Sequence, residues 1–405
     1  MTRTQQSILA MNSLSMGIML PVLTLIFLSK GATLQTLPLI LAIYSVTVFC
    51  LELPSGILAD IISRKFVFQC ACVCNILSCI LLFFTSHLAG LILVALFMGI
   101  GRAFSSGSLE ALFIDDALKR HGEGCLIRVT TRISVLDSGA LALGGVMGGI
   151  ISNLAGNYMV NVVLRFTLNA LLLLCCMLFV QEARVREKDR QHVSLRTHLQ
   201  NGKKLLLATP RLLCILVGVF FTGFFLSAIE TYWQPAFISL DAGKGNTTVL
   251  GIISALSFLA VIAGNYIAKH LLEKFSNKWW SVYNGCRMIF ALCIYIFSVQ
   301  SGSEGFIVCY MLVYMMLGAG NTGETILVNS MTPDSMRASI LSMNSLILQI
   351  GSFCASLLSS LLILKIQYSG LWCTAAILLG VSAIIVTFII EIKLKMENTE
   401  KAVQQ

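Results

Sequence analysis

The sequence predicts an all-α integral membrane protein of twelve transmembrane helices arranged as two six-helix bundles. Three observations carry that reading. Hydrophobic residues make up 57% of the 405-residue chain and charged residues only 12%, whereas about a quarter of an ordinary soluble domain is charged. Apolar runs of the length needed to cross a hydrocarbon core of roughly 30 Å, about 20 residues each, recur from one end of the chain to the other. They fall six and six around one long polar stretch, about 182–210.

In order, the runs lie near 8–29, 38–62, 66–86, 89–113, 133–153, 160–181, 211–238, 248–270, 281–300, 305–329, 338–363 and 370–392. The expected organisation is therefore a first bundle over 1–182, a basic linker over 183–210, and a second bundle with a short tail over 211–405. The first run is too long for the h-region of a signal peptide and lacks a small-residue cleavage site, so it is read as a retained helix.

Between the second and third runs lies Gly56-Ile57-Leu58-Ala59-Asp60-Ile61-Ile62-Ser63-Arg64-Lys65, expected to form a tight charged hinge. Gly56 would let a helix end lie close to a neighbour, Asp60 would accept from the N–H groups of a facing helix N-terminus, and Arg64 and Lys65 would hold the loop on the cytoplasmic side. This stretch resembles the signature of the major facilitator superfamily of secondary transporters, in which Gly, Asp and a basic pair recur at this spacing between the second and third helices. Gly56, Asp60, Arg64 and Lys65 match it, while Ile61 and Ser63 stand where the family often has Arg and Gly. The resemblance implies two pseudo-symmetric bundles, a central cavity and alternating access. It also implies that Arg64 pairs with an acid at the end of the fourth helix, Asp115 or Asp116, so that with Glu52 and Asp137 these residues hold a cytoplasmic gate; a solvated inner loop is the plainer reading of the two aspartates.

The third run carries Cys70, Cys72 and Cys74, but residues two apart on a helix point about 200° from each other. The fourteen cysteines therefore read as packing residues, with no disulfide framework and no metal. The fourth run holds Arg102, which resembles the Arg of the family's fourth-helix signature; it reads either as a proton-coupling or substrate group or as half of a structural ion pair. The fifth run contains Gly139-Ala140-Leu141-Ala142-Leu143-Gly144-Gly145-Val146-Met147-Gly148-Gly149. Its glycines, Gly144, Gly145, Gly148 and Gly149 above all, strip one helix face for close packing. They also resemble the glycine-rich signature of the superfamily's drug/proton antiporters, with Gly145 in the place where a Pro is usual.

The halves read as diverged copies, Gly99-Ile100-Gly101-Arg102 having a counterpart in Gly318-Ala319-Gly320-Asn321. In the seventh run Glu230 and Trp233 are three residues apart and share a helix face, which would set a carboxylate beside an aromatic wall suited to a lipophilic cation. An interfacial aromatic belt with Glu230 in headgroup water is the alternative. In the tenth run Asn321 and Glu324 lie one turn apart. A carboxylate in an apolar cavity can load and release protons near neutral pH, as a proton-coupled carrier requires, and an ion pair or a backbone cap is the competing role. Arg165 and Arg287 lie nearer the ends of their runs and are expected to snorkel.

Of 28 Lys and Arg, only Lys30, Lys244 and Lys365 fall on the outer segments, while Arg102, Arg165 and Arg287 lie inside apolar runs. The rest lie on the inner side, which places both termini in the cytoplasm of a plasma-membrane protein. The net charge of +9 is thus topogenic and does not mark a nucleic-acid surface. With no phosphate loop or metalloprotease motif, no enzyme and no cofactor is expected. The expected activity is proton-coupled export of small amphipathic or cationic compounds by a monomer. A carrier for one metabolite and a non-transporting receptor or scramblase are the alternatives. The short loops match a bacterial source.

Overall fold

The structure, a computed structural model, describes residues 1–106, 108–122, 125–182, 210–240, 246–275, 278–332 and 337–403. In a hydrocarbon environment the backbone must satisfy its own hydrogen bonds, and each apolar run does so as helix. The first run gives α1 (Arg3–Gly17) and α2 (Leu23–Ser29), the second α3 (Leu37–Ile61), the third α4 (Arg64–Phe84), and the fourth α5 (Leu88–Ser105) with α6 (Ser108–His121). There follow α7 (Leu126–Ala155), α8 (Met159–Phe179), α9 (Pro210–Leu240), α10 (Thr247–Lys274), α11 (Trp279–Ser298), α12 (Ser303–Met331) and α13 (Arg337–Val403).

Among the described residues nine helices are long and apolar enough by length and composition alone to cross a membrane. The remaining spans are the broken first run, α3 with its apolar part Leu37–Glu52, and the second of the two joined in α13. That helix is interrupted at Gln367, where φ is 56° and ψ is −171°. Large apolar side chains stay exposed along these helices, Phe84 at 80% and Leu154 at 81% among them. In water such surfaces would drive aggregation; in a bilayer they face acyl chains. The all-helical, twelve-span architecture read from the sequence is the one observed, and the chain is a multi-pass membrane protein.

Local chemistry fixes several helix ends. Thr2 and Gln5 form a reciprocal capping box at α1. Ser63 caps α4 by accepting from the Phe66 N–H at 3.0 Å. Gly156 ends α7 in the left-handed region at φ 62°, which glycine adopts without steric cost.

The chain divides into two compact units. Unit 1 comprises Met1–Asp189 with Thr231–Phe258, and unit 2 comprises Arg190–Glu230 with Leu259–Gln405. The division expected from sequence runs at the linker, and the division by contact differs from it in grouping Thr231–Phe258 with the first bundle. Residues 183–209 of the linker lie outside the described residues. One end of unit 1 has a core of Ile8, Phe68, Leu109, Phe113, Leu172 and Cys176 among others; unit 2 is centred on Leu212, Leu216, Val219, Tyr283, Leu327 and Ile340.

Candidate functional site

In unit 1 the signature stretch is more helical than the expected hinge. α3 runs on through Gly56 to Ile61 and only Ile62 and Ser63 separate it from α4. Gly56 is exposed, and a Cβ built there would meet nothing within 4 Å, so the close approach expected at this glycine is not made. The side chain of Asp60 lies outside the described residues. Arg64 Nη1 pairs with Asp115 Oδ2 at 2.7 Å, whereas Asp116 accepts from Gln5 Nε2 at 2.8 Å and from Arg120 Nε at 2.9 Å. Of the two acids offered for Arg64, Asp115 holds that position.

A residue that sequence reasoning missed completes this corner. The Glu182 carboxylate accepts from the Ser63 hydroxyl, from the Arg64 N–H at 2.9 Å and from the Lys65 N–H at 3.0 Å. Lys65 Nζ in turn donates to the carbonyls of Met177, at 3.1 Å, and Val180, at 2.7 Å. An anion therefore sits on the unsatisfied N–H groups and positive dipole end of α4, tying it to the residues just after α8.

Arg102, in the last turn of α5, is exposed, and Glu110, in the first turn of α6, is exposed as well. Glu110 lies within electrostatic reach of both Arg102 and Asp137. Asp137, half-buried on α7, accepts from the Ser13 hydroxyl. Glu52 is half-buried on α3, where its carbonyl accepts from Ser55 Oγ at 2.8 Å. Glu110 is absent from the residues singled out in the sequence, although its place in a helix first turn just after Gly107 is a detectable signal.

The glycine motif works on two faces, not the single face expected. Gly144 and Gly148 lie against the first span: a Cβ at Gly144 would be 2.9 Å from Gly17 Cα, and one at Gly148 would be 2.9 Å from Ile18 Cα. Gly145 and Gly149 lie against α10, where the corresponding distances are 3.3 Å to Ser254 Oγ and 2.8 Å to Gly251 Cα. Gly139 has nothing within 4 Å. Hydroxyls reinforce the second face, Thr247 Oγ1 donating to the Gly149 carbonyl at 2.8 Å and Ser152 Oγ to Thr247 Oγ1 at 2.9 Å.

The break between α1 and α2 is stabilised from two sides. Pro21 supplies no N–H there, and Asn161 Nδ2 donates to the Ile18 carbonyl at 2.9 Å. Gln234 Nε2 of α9 donates to the Leu20 carbonyl at 3.0 Å while its Oε1 accepts from Thr24 Oγ1 at 2.9 Å. Tyr232 adds a bond from its hydroxyl to the Leu34 carbonyl at 2.8 Å. Trp233, between them, is 4% exposed.

In unit 2 the structure separates the two acids that the sequence offers as proton carriers. Glu230 is exposed, and Tyr310 and Tyr314 of α12 both lie within electrostatic reach of its carboxylate. Their rings are 4.7 Å apart. Glu324 is buried: Asn344 Nδ2 donates to it at 2.9 Å and Arg287 Nη1 lies 4.0 Å away. Arg287 also donates to Tyr283 Oη at 3.2 Å, to Thr222 Oγ1 at 3.0 Å and to the Gly218 carbonyl. Asn321, one turn before Glu324, is exposed and does not join this cluster.

Neither Arg287 nor Arg165 snorkels, contrary to the expectation from their positions near run ends. Both are buried, and Arg165 Nη2 donates to Asn75 Oδ1 at 3.1 Å. Their helices begin several residues before them, which sinks each guanidinium below the helix end.

Among the described residues no group of three His, Cys, Asp or Glu is placed to hold a metal ion. The arrangement offers an exposed carboxylate within electrostatic reach of two tyrosines in unit 2, a separate buried ion pair in the same unit, and a network of acids and arginines in unit 1. Such groups bind and exchange protons and bind polar or cationic groups of a solute.

Comparison with known proteins agrees with this architecture. The family model described as Major Facilitator Superfamily matches residues 7–245 and 238–404. The chain is 23% identical over 393 residues, 95% of its own length and 94% of the relative's, to an uncharacterised MFS-type transporter, YxaM, of Bacillus subtilis (strain 168). In structure it is similar to the nucleoside transporter NupG. The TM-score is 0.80 to a mutant of that transporter, with 14% identity and coverage of 95% of this chain and 98% of that one. For NupG itself the TM-score is 0.78, again at 14% identity, with coverage of 96% and 98%.

Proposed function

The chain belongs to the major facilitator superfamily, and from that premise we propose that it is a secondary carrier that couples proton movement to that of a small amphipathic solute by alternating access. The observation that carries the reading is the exposed Glu230 within electrostatic reach of Tyr310 and Tyr314. A carboxylate next to aromatic faces suits a solute that joins a flat ring to a positive charge or a hydrogen-bond donor. Protonation of Glu230 competes with that solute, which supplies the exchange. Glu324, closed by Arg287 and Asn344, holds α11, α12 and α13 together.

Two forms of this carrier differ in breadth. Export of many lipophilic cations is supported by the likeness of the α7 glycines to the antiporter signature. Transport of one metabolite class is supported by the dense polar bonding of the interior, at Asn161, Asn169, Arg165 and Gln234, since directional bonds favour specificity over breadth. Nucleosides belong in the test panel because NupG carries that description.

The test is proton movement in liposomes containing the purified protein and an internal pH dye, with lipophilic cations, neutral amphiphiles and nucleosides added in turn. Solute-driven proton flux that vanishes in Glu230→Gln and persists in the double variant Arg287→Met with Glu324→Leu supports the assignment. Unchanged flux in Glu230→Gln would overturn it. Responses to several unrelated cations select drug export, and a response to one chemical class selects the dedicated carrier.

A further inference from the structure

A cavity in unit 2 is distinct from the groups assigned above. It has a volume of about 520 Å³ and lies where the end of α10, the start of α11 and the C-terminal part of α12 meet. Its lining includes Asn265, Tyr266, Lys269 and Glu273 of α10, Trp279 of α11 and Thr322 of α12. That size falls in the range of roughly 300–1,000 Å³ usual for small-ligand pockets.

Most of the polar groups around it are already engaged with one another. Thr322 Oγ1 donates to Asn265 Oδ1 at 3.1 Å, and the Trp279 indole N–H donates to the Leu272 carbonyl at 3.2 Å. The cavity thus presents chiefly apolar and aromatic walls, among them Tyr266, 71% exposed on a spanning helix. A wall of that kind suits an acyl chain better than a hydrophilic solute.

Charge selects the headgroup. Lys269 meets Glu273 only at 3.9 Å, with both side chains more than 60% exposed, a geometry worth little in the presence of solvent. Lys274 and Lys278 are exposed close by in sequence. Lys278 is the N-cap of α11, a helix with no acidic residue in its first turn and no side-chain cap on its N–H groups. Lys269 and Glu273 line the cavity, and Lys274, Lys278 and the uncapped positive end of α11 follow within a few residues along the chain, so the local balance of charge is positive. The cavity lies where α10 leaves its apolar span, at the end that the Lys and Arg bias assigns to the cytoplasm, and the aromatic pair marks the depth of an interface.

We propose that this cavity binds an anionic glycerophospholipid, its chain against Tyr266 and Trp279 and its phosphate held by Lys269 and Lys278 at the N-terminus of α11. The lipid would tie α10, α11 and α12 together at one end, so the composition of the inner leaflet would regulate the unit that carries Glu230 and Glu324.

The experiment is native mass spectrometry of the purified full-length protein with equal amounts of phosphatidylglycerol and phosphatidylcholine. Preferential retention of phosphatidylglycerol by the parent is expected. Its affinity should fall about fivefold for each lysine removed in Lys269→Gln and Lys278→Gln, while Lys119→Gln, an exposed lysine of α6, leaves it unchanged. Equal retention of the two lipids, or a loss as large in Lys119→Gln as in the cavity variants, would overturn the proposal. Because the lysines are exposed, the variants retain the fold, and the readout requires no transport activity.

Discussion

Replacing Gly149 by Ala tests whether the seam between α7 and α10 is set by backbone approach. The added Cβ would stand 2.8 Å from Gly251 Cα and 2.9 Å from Gly251 N, besides meeting the Thr247 carbonyl. These are backbone atoms, which cannot rotate away as a side chain does. Overpacking a tight site costs about 1–3 kcal/mol, and at about 1.4 kcal/mol per tenfold this shifts the equilibrium between closed and opened seam by about 5- to 150-fold. Ser152 reports on that equilibrium, being 2% exposed and bonded to Thr247 at the seam. In a background with the fourteen native cysteines replaced, Ser152→Cys should react with a maleimide faster by that factor when Gly149 is Ala. Gly139→Ala is the control, since a Cβ there meets nothing within 4 Å and Ala is the better helix former by roughly 0.5–1 kcal/mol. Labelling no faster in Gly149→Ala than in its parent would refute the reasoning.

The buried pair of Arg287 and Glu324 should behave asymmetrically. Arg287→Met or Glu324→Leu alone strands a charge and should cost about 3–5 kcal/mol, whereas the double replacement should recover much of that loss; thermal unfolding of the three variants in detergent measures it. Glu182→Gln should lower the melting temperature by a few degrees, because charge-assisted bonds to the N–H groups of Arg64 and Lys65 weaken. Ser63→Ala, which removes both the cap of α4 and a donor to Glu182, should add little to Glu182→Gln if the two act as one unit.

The spans are legible in the sequence because a bilayer imposes length and apolarity on each helix separately, and both are properties of a single stretch. The pairing of Arg64 with an acid after the fourth run is also legible, through the resemblance of its loop. Glu182 is not. At the edge of the sixth run it has the look of a solvated linker acid, and its partners stand 117 and 118 residues earlier in the chain, a relation that composition does not encode. The glycine spacings reveal where α7 is narrow but not which neighbour fills each side. Residues 144 and 145 are offset by about 100° on a helix, so two i, i+4 pairs one residue apart serve two different partners.

Arg287 shows why nearness to the end of an apolar run is a poor measure of depth. α11 begins at Trp279, eight residues earlier, which at 1.5 Å per residue places Arg287 about 12 Å along the axis. There Thr222, Tyr283 and the Gly218 carbonyl receive it. Energetics reaches the same place from the same letters. An ionisable residue inside a span costs about 2.5–3.5 kcal/mol, and leaving its charge without a partner is costlier still. An arginine in the ninth run and a glutamate in the tenth belong to helices joined by a short connection and are therefore neighbours, which makes them each other's default partner. In the structure Glu324 is so engaged, in the ion pair that the sequence offers only as its competing role. Under the proposed function the proton-exchanging role therefore falls to Glu230, the acid whose helix has no embedded arginine across a short connection.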